Sequence, residues 1–258
     1  MSFCSLLRHG LSRAVAGGVL ALCIPFFATA AGNTEGETAA ARDAAAFLSA
    51  VEMGRSEEVK AFIASGKNLN VQDEAGVSAV HLSVMRGHQE ILGALLQAHA
   101  DPNVAKKDGV TPLMSAVAKG DMALVEMLLA AKADVNAIAA DGSTPLFAAM
   151  QDNDDLDLVA KVLIAHGADV NAMRGGFPLL GVAAGRNRLK MVAVLLASGA
   201  RVDLASKYGY SPLMEATIKG HVQIVDLLLS AKANPNWKDK DGDTALHLTT
   251  FRGERNEG

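Results

Sequence analysis

The chain has 258 residues, half of them apolar but only 4% aromatic, and its 24 basic and 28 acidic residues give a formal net charge of −4. A core so poor in Phe, Tyr and Trp has to be assembled from Ala, Leu and Val, which argues against a large twisted sheet and for small helices packed at close range. The mild negative charge is a poor electrostatic footprint for nucleic acid, so no nucleic-acid partner is expected.

Residues 1–30 read as an export signal. Arg8 and Arg13 give a basic start, 14–28 is an uncharged run, and Ala28-Thr29-Ala30 has the form of a cleavage site. The run is short for a bilayer span and is interrupted by Pro25, so cleavage after Ala30 is expected, with no membrane span afterwards. Lipidation at Cys23 would want a small residue before it, where Leu22 stands. Both cysteines, Cys4 and Cys23, lie in this segment, so the mature chain has neither a disulfide framework nor thiolate chemistry. Its removal deletes two arginines and no acid, taking the formal charge from −4 to −6. An exported chain is expected, periplasmic first and fully secreted as the alternative. The absence of any N-x-[ST] acceptor favours a bacterial route.

Residues 31–42, AGNTEGETAAAR, are small and polar and read as a flexible linker, with order beginning near Asp43. From there the sequence repeats itself. Pro112, Pro145, Pro178 and Pro212 are spaced by 33, 33 and 34 residues, with Ala79 and Ala245 one period further out on either side. A second landmark keeps the same beat at Asn70, Asn103, Asn136, Asn171, Asp203 and Asn236. In the unit 110–142, Thr111 suits a helix cap and Pro112 the first helical position. The first helix runs to Gly120, and a second begins near Met122, with Leu124, Val125, Leu128 and Leu129 on one face. Two short helices cannot bury that face alone, so units must stack. The closing ADVNAIAADG predicts an extended loop that projects as a finger.

The segments TPLM, TPLF, SPLM and TALH, with GHVQIVDLLL and ADVNA, resemble the ankyrin repeat over roughly residues 43–252. The resemblance implies an all-α solenoid of stacked helix-turn-helix repeats with projecting β-hairpin-like finger loops, gripping partner proteins on its concave side. The domain would span 43–258. It comprises a degenerate first repeat at 44–76, full repeats at 77–109, 110–142, 143–176, 177–209 and 210–242, and a half repeat at 243–258. The third full repeat has a lengthened helix turn, QDNDDLDL, and a finger shorter by two. The fourth places Phe177 where a Thr or Ser cap belongs and carries an extra residue near GRNRLK. The left-handed stop after the second helix is Gly66, Gly167 and Gly199 in three units but His99, Lys132 and Lys232 in the others, where a side chain is strained.

No chemistry stands out. The six histidines after the signal segment, His81, His88, His99, His166, His221 and His247, all fall on repeat landmarks, so no metal site is expected. The acidic turn with Asp152, Asp154, Asp155 and Asp157 breaks the EF-hand pattern at Asp157 and Leu163 and reads as a solvated loop. No nucleophile–base pair, phosphate loop or dinucleotide fingerprint is present, so neither a catalytic residue nor a cofactor is expected.

A protein partner is the expectation. Tyr208, Tyr210 and Trp237 lie on neighbouring fingers, flanked by Lys207, Lys238 and Lys240, and rings of this kind either anchor a partner or pack finger on finger. By family analogy Met85, Arg86, Lys119, Glu215 and Lys219 line the inner face. Ile224, Val225, Leu228 and Leu229 face only a half repeat, which the polar tail caps or which leaves an apolar patch for an oligomer or a partner. Three functions follow: a module that binds a client protein outside the cytoplasm, a secreted effector that intercepts a host protein, or a self-assembling unit.

Overall fold

The structure is a computed structural model that describes residues 39–150 and 156–253. Within them the helices come in pairs: α1 (Ala39–Glu52) with α2 (Ser56–Ala64), α3 (Ala79–Arg86) with α4 (Gln89–Gln97), and α5 (Pro112–Lys119) with α6 (Met122–Ala130). Then follow α7 (Pro145–Ala148) with α8 (Leu156–Ala165), α9 (Leu179–Gly185) with α10 (Leu189–Ala197), α11 (Pro212–Lys219) with α12 (Val222–Ser230), and a last helix, α13 (Ala245–Gly253). First helices pack on first helices, α1 on α3, α3 on α5, α5 on α7, α9 on α11 and α11 on α13. Second helices do the same, α2 on α4, α4 on α6, α8 on α10 and α10 on α12. Helix α1 opens at Ala39, inside the stretch read as linker, because AAAR is an alanine-rich run with no helix breaker.

Four of the first helices start for the same local reason. Ser78, Thr111, Thr144 and Ser211 accept the amide of the residue three positions on, at 3.2–3.3 Å. Proline then fills the first helical position in α5, α7 and α11, where no amide is needed. Gly87, Gly120 and Gly220 stop α3, α5 and α11 in the left-handed conformation and turn the chain into the second helix. Leu124, Val125 and Leu128 of α6 are wholly buried, each burial being worth about 1.5–3 kcal/mol. Apart from α1, none of these helices reaches the length at which a helix is stable in isolation, so the stacking interfaces carry the fold.

The fourth full repeat corrects the sequence register. Pro178 occupies the cap position of α9, and Leu179 is its first helical residue. Asn187, at φ +59°, then makes the left-handed stop that glycine makes elsewhere, and no extra residue is present. Proline has no side-chain acceptor, so α9 starts without a side-chain cap. The finger that leads into it, the shortened one of the third full repeat, is a hairpin with a two-residue turn between β1 (Met173–Arg174) and β2 (Phe177–Pro178), in which Met173 pairs with Pro178 and Arg174 with Phe177. Gly175 and Gly176 both have positive φ, the requirement of the tightest hairpin turn.

The left-handed stops after the second helices are confirmed at His99, Lys132 and Lys232, with φ of 61°, 67° and 69°. The tolerance has a simple origin. At the corresponding Gly66, Gly167 and Gly199 an added Cβ meets nothing within 4 Å, so a side chain costs only the intrinsic backbone strain. Replacing Lys132 by Gly is therefore expected to raise stability by about 0.5–1 kcal/mol. A urea midpoint that is unchanged or lower would contradict this.

Candidate partner-binding surface

The fingers owe their shape to aspartates. Asp73 Oδ1 accepts the amides of Ala75 and Val77, both at 2.8 Å, and Asp239 Oδ1 those of Asp241 and Asp243, both at 2.9 Å. Backbone bonds then tie finger to finger: Lys107 N donates to Ala75 O, Ala140 N to Asp108 O and Lys207 N to Gly176 O. The Asn/Asp landmark forms a parallel ladder at the finger bases. Asn70, Asn103, Asn136, Asn171 and Asp203 each accept a backbone amide of the next unit, from Asp101, Asp134, Asp169, Arg201 and Asn234, at 2.7–3.0 Å. The fingers are thus a braced row rather than loose loops.

On this row the structure brings four of the expected residues together with one the sequence did not single out. Tyr208 is 52% exposed and stands 5.7 Å from Phe177 and 6.5 Å from Tyr210, ring centre to ring centre. The Lys207 Nζ lies 5.3 Å from the Phe177 ring and 5.2 Å from the Tyr208 ring, within cation–π range of both. Trp237 is half-buried, packs against the core and donates its indole N–H to Gly209 O at 3.0 Å, which makes it a strut between neighbouring fingers. Tyr210 is likewise half-buried, and its hydroxyl is pushed up by burial and by the surrounding carboxylates, led by Asp239. Lys238 and Lys240 are exposed on the last finger. The repeat pattern alone puts Phe177 at a helix cap, which hides its place on the finger. In the corrected register it lies one period before Tyr210, at the same edge of its finger.

The residues expected on the first helices are distributed along the stack. Met85 is 46% exposed. Arg86 pairs with Glu52, and Lys119 donates to Val84 O and Met85 O, closing the end of α3. Lys219 is exposed, whereas Glu215 is half-buried beside Gly185 of α9, and burial pushes its carboxyl up against the opposing pull of Lys219.

The histidines have structural partners. His81 Nε2 meets Ser115 Oγ at 3.2 Å, while His88 and His221 reach the carbonyls of Glu52 and Gly185, each at 3.3 Å. Of the acidic turn, Asp152, Asp154 and Asp155 lie outside the described residues. Asp157 is not solvated as the sequence suggested: its carboxylate sits 3.7 Å from Arg188, with side-chain exposures of 11% and 9%, because α8 begins beneath α10. Among the described residues no cluster of His, Cys, Asp and Glu is arranged to hold a metal ion, and no helix is long and apolar enough to cross a membrane.

At the C-terminal end, where α13 packs on α11, Ile224 and Leu228 of α12 are wholly buried and Val225 is half-buried. Leu229 is 41%, Val222 67% and Leu246 75% exposed. The corresponding Leu129 of the second full repeat is 5% exposed.

Paired helices stacked first on first and second on second, with a braced row of fingers along one edge, define a helical repeat scaffold whose working parts are its surface side chains. The sequence matches the model for ankyrin repeats (3 copies) over residues 47–139, 119–206 and 180–256, and the chain belongs to the ankyrin repeat family. Domains of this family are generally non-catalytic and typically mediate protein–protein interaction. The fold is similar to the ankyrin repeat domain of Bcl-3, described as a unique member of the IkappaB protein family, with a TM-score of 0.72 and 25% identity over 78% of this chain and 92% of that one. It is also similar to the human ASB11 ankyrin repeat domain, with a TM-score of 0.63 and 27% identity over 82% of this chain and 97% of that one. No curated protein sequence matches the chain.

Proposed function

We propose that this chain is an exported, non-catalytic module that captures a client protein outside the cytoplasm through its finger row. The observation that carries the reading is the cluster of Tyr208, Phe177 and Lys207 on backbone-braced fingers. A large ring is held half in solvent beside a cation, on a support that loses little entropy when a partner docks. Lys238 and Lys240 stand exposed on the next finger among Asp239, Asp241 and Asp243, so the cation of the cluster is Lys207. The segment 1–30, with its basic start, apolar run and Ala-x-Ala end, supports the export part of the proposal. A secreted effector would use the same surface.

Because Trp237 braces two fingers, Tyr208 is the cleaner test. Replacing Tyr208 by Ala is expected to weaken capture of a client identified by crosslinking in the exported fraction by about thirtyfold, with unchanged helical circular dichroism. Equal affinity would remove the cluster from the site. The exposed Val222, Leu229 and Leu246 favour a second reading, self-association through the last repeat. Sedimentation that depends on concentration and is abolished by Leu246→Glu would support it.

A further inference from the structure

In a stack of helix pairs each inner helix meets the helix of its own kind on both sides, and the third full repeat breaks that rule. Helix α7 packs on α5 and α8 packs on α10, but no comparable packing joins α7 to α9 or α6 to α8. The two helices of this repeat therefore lean in opposite directions, one on the preceding units and one on the following. Their contact with each other is the slightest among the helix pairs. The causes are local. Helix α7 ends after about one turn, at Ala149, where α5 and α11 run for eight residues. Beyond it, α9 turns Gly185 toward Glu215 of α11, where an added Cβ would lie 3.5 Å from Oε2, so the bare backbone seats α9 on α11 rather than on α7.

The fingers part at the same place. A Cβ on Gly76 would lie 2.8 Å from Lys107 N, one on Gly109 2.9 Å from Ala140 N and one on Gly209 2.9 Å from Lys240 N, all backbone atoms of the next finger. At Gly142 the nearest atom is Arg174 Cα, at 3.7 Å. Arg174 spans this wider gap with its side chain by pairing with Asp141, and at exposures of 47% and 52% the pair adds little. Asn136 also crosses, accepting from Asp169 N at 2.8 Å and donating to Gly167 O at 2.9 Å, and so does Arg186, which donates to Met150 O at 3.3 Å. Leu129 of α6 and Leu163 of α8 belong to one apolar core, but the backbones that carry them do not approach as those of neighbouring second helices do elsewhere.

We infer that the solenoid consists of two cooperative blocks, α1–α7 and α8–α13, joined at a hinge that runs between the two helices of the third full repeat. In a one-dimensional stack each interface couples only its neighbours, so cooperativity fails where an interface is thin. The boundary falls inside a repeat, where the sequence period would not put it. This hinge is a property of the stack itself and stands apart from the client-binding reading. It places the finger cluster of Phe177, Lys207 and Tyr208 on one block and the exposed Met85 and Lys119 of the first helices on the other, so the two surfaces adjust to a partner independently.

The test is native-state hydrogen exchange of the full ¹⁵N-labelled chain, followed amide by amide, in the parent and in Leu95→Ala and Leu195→Ala. Both leucines are wholly buried, Leu95 in α4 and Leu195 in α10. Leu95→Ala is expected to speed exchange in the first block about thirtyfold or more, as far as the amides of Ala148 and Met150 at the end of α7, and to leave those of Leu163, Ala168, α10 and α12 within about twofold. Leu195→Ala should do the reverse, accelerating Leu163 and Ala168 and sparing Ala148 and Met150. If either variant loses its dispersed spectrum, Asn103→Ala and Asp203→Ala stand in. Each removes one rung inside a single block, to Asp134 N or Asn234 N, with an expected acceleration of about fivefold in that block alone. Acceleration of all amides alike shows one cooperative unit and overturns the inference. An effect that fades evenly away from the altered unit overturns it too, as does exchange in which Ala148 and Leu163 move together.

Discussion

Replacing Gly109 by Ala is expected to destabilise the chain by about 3 kcal/mol, whereas Gly167→Ala should cost only about 1 kcal/mol. Both glycines are left-handed, at φ +79° and +89°. They differ in what a Cβ would meet. At Gly109 it would lie 2.9 Å from Ala140 N and 3.0 Å from Ala139 Cα, backbone atoms of the next finger, and separating them strains the bond from Ala140 N to Asp108 O. At Gly167 it meets nothing within 4 Å. Because the stability of a repeat stack is close to a sum of units and nearest-neighbour interfaces, damage at this junction should also broaden or split the urea transition. Equal midpoints for the two variants would show that the fingers do not couple the units.

Acidification from pH 7 to pH 4 should remove up to about 3 kcal/mol of stability through His81 alone. The imidazole is fully buried at the interface of α3 with α5, and burial, helped by Lys106, lowers its pKa from 6.5 to about 4. The unfolded chain therefore takes up the proton first. The contribution is complete above about pH 6.5 and is lost as pH falls through about 4. Glu215 acts in the opposite sense, since its carboxyl is raised by burial: its stabilising effect is present below the ordinary value of 4.5 and fades as pH rises through its folded value. Asp108 and Asp141, held low chiefly by the amides of Val110 and Ser143, lose stability in the same direction as His81, so the His81 share is the difference between the parent chain and a variant that lacks the imidazole. Urea midpoints across this range for the parent chain and for His81→Leu make the comparison, and an identical pH slope in the two would exclude His81 as the cause.

Most of the architecture was legible along the chain because its determinants are local. Thr111 and Pro112 start a helix, Gly120 ends it, and Leu124, Val125 and Leu128 mark the buried side, all within one period. The asparagine landmark was equally plain as a pattern. Its cause was not, since each of these side chains holds an amide 30–33 residues further on. The same limit explains the misplaced register at Pro178. A proline is the usual first helical residue, and only the backbone bonds of α9 show it one position earlier.

For the surface, the one-dimensional reading identified which rings and lysines fall on neighbouring fingers, because repeat spacing alone assigns residues to fingers. Whether a ring faces solvent or braces its neighbour depends on atoms from another unit: Gly209 O claims the Trp237 indole, whereas the Tyr208 ring stands half in solvent. Asp157 follows the same rule: its place in an acidic run reads as solvated, and only the packing of α8 on α10 sets its carboxylate 3.7 Å from Arg188, because packing sums contributions that no single period contains.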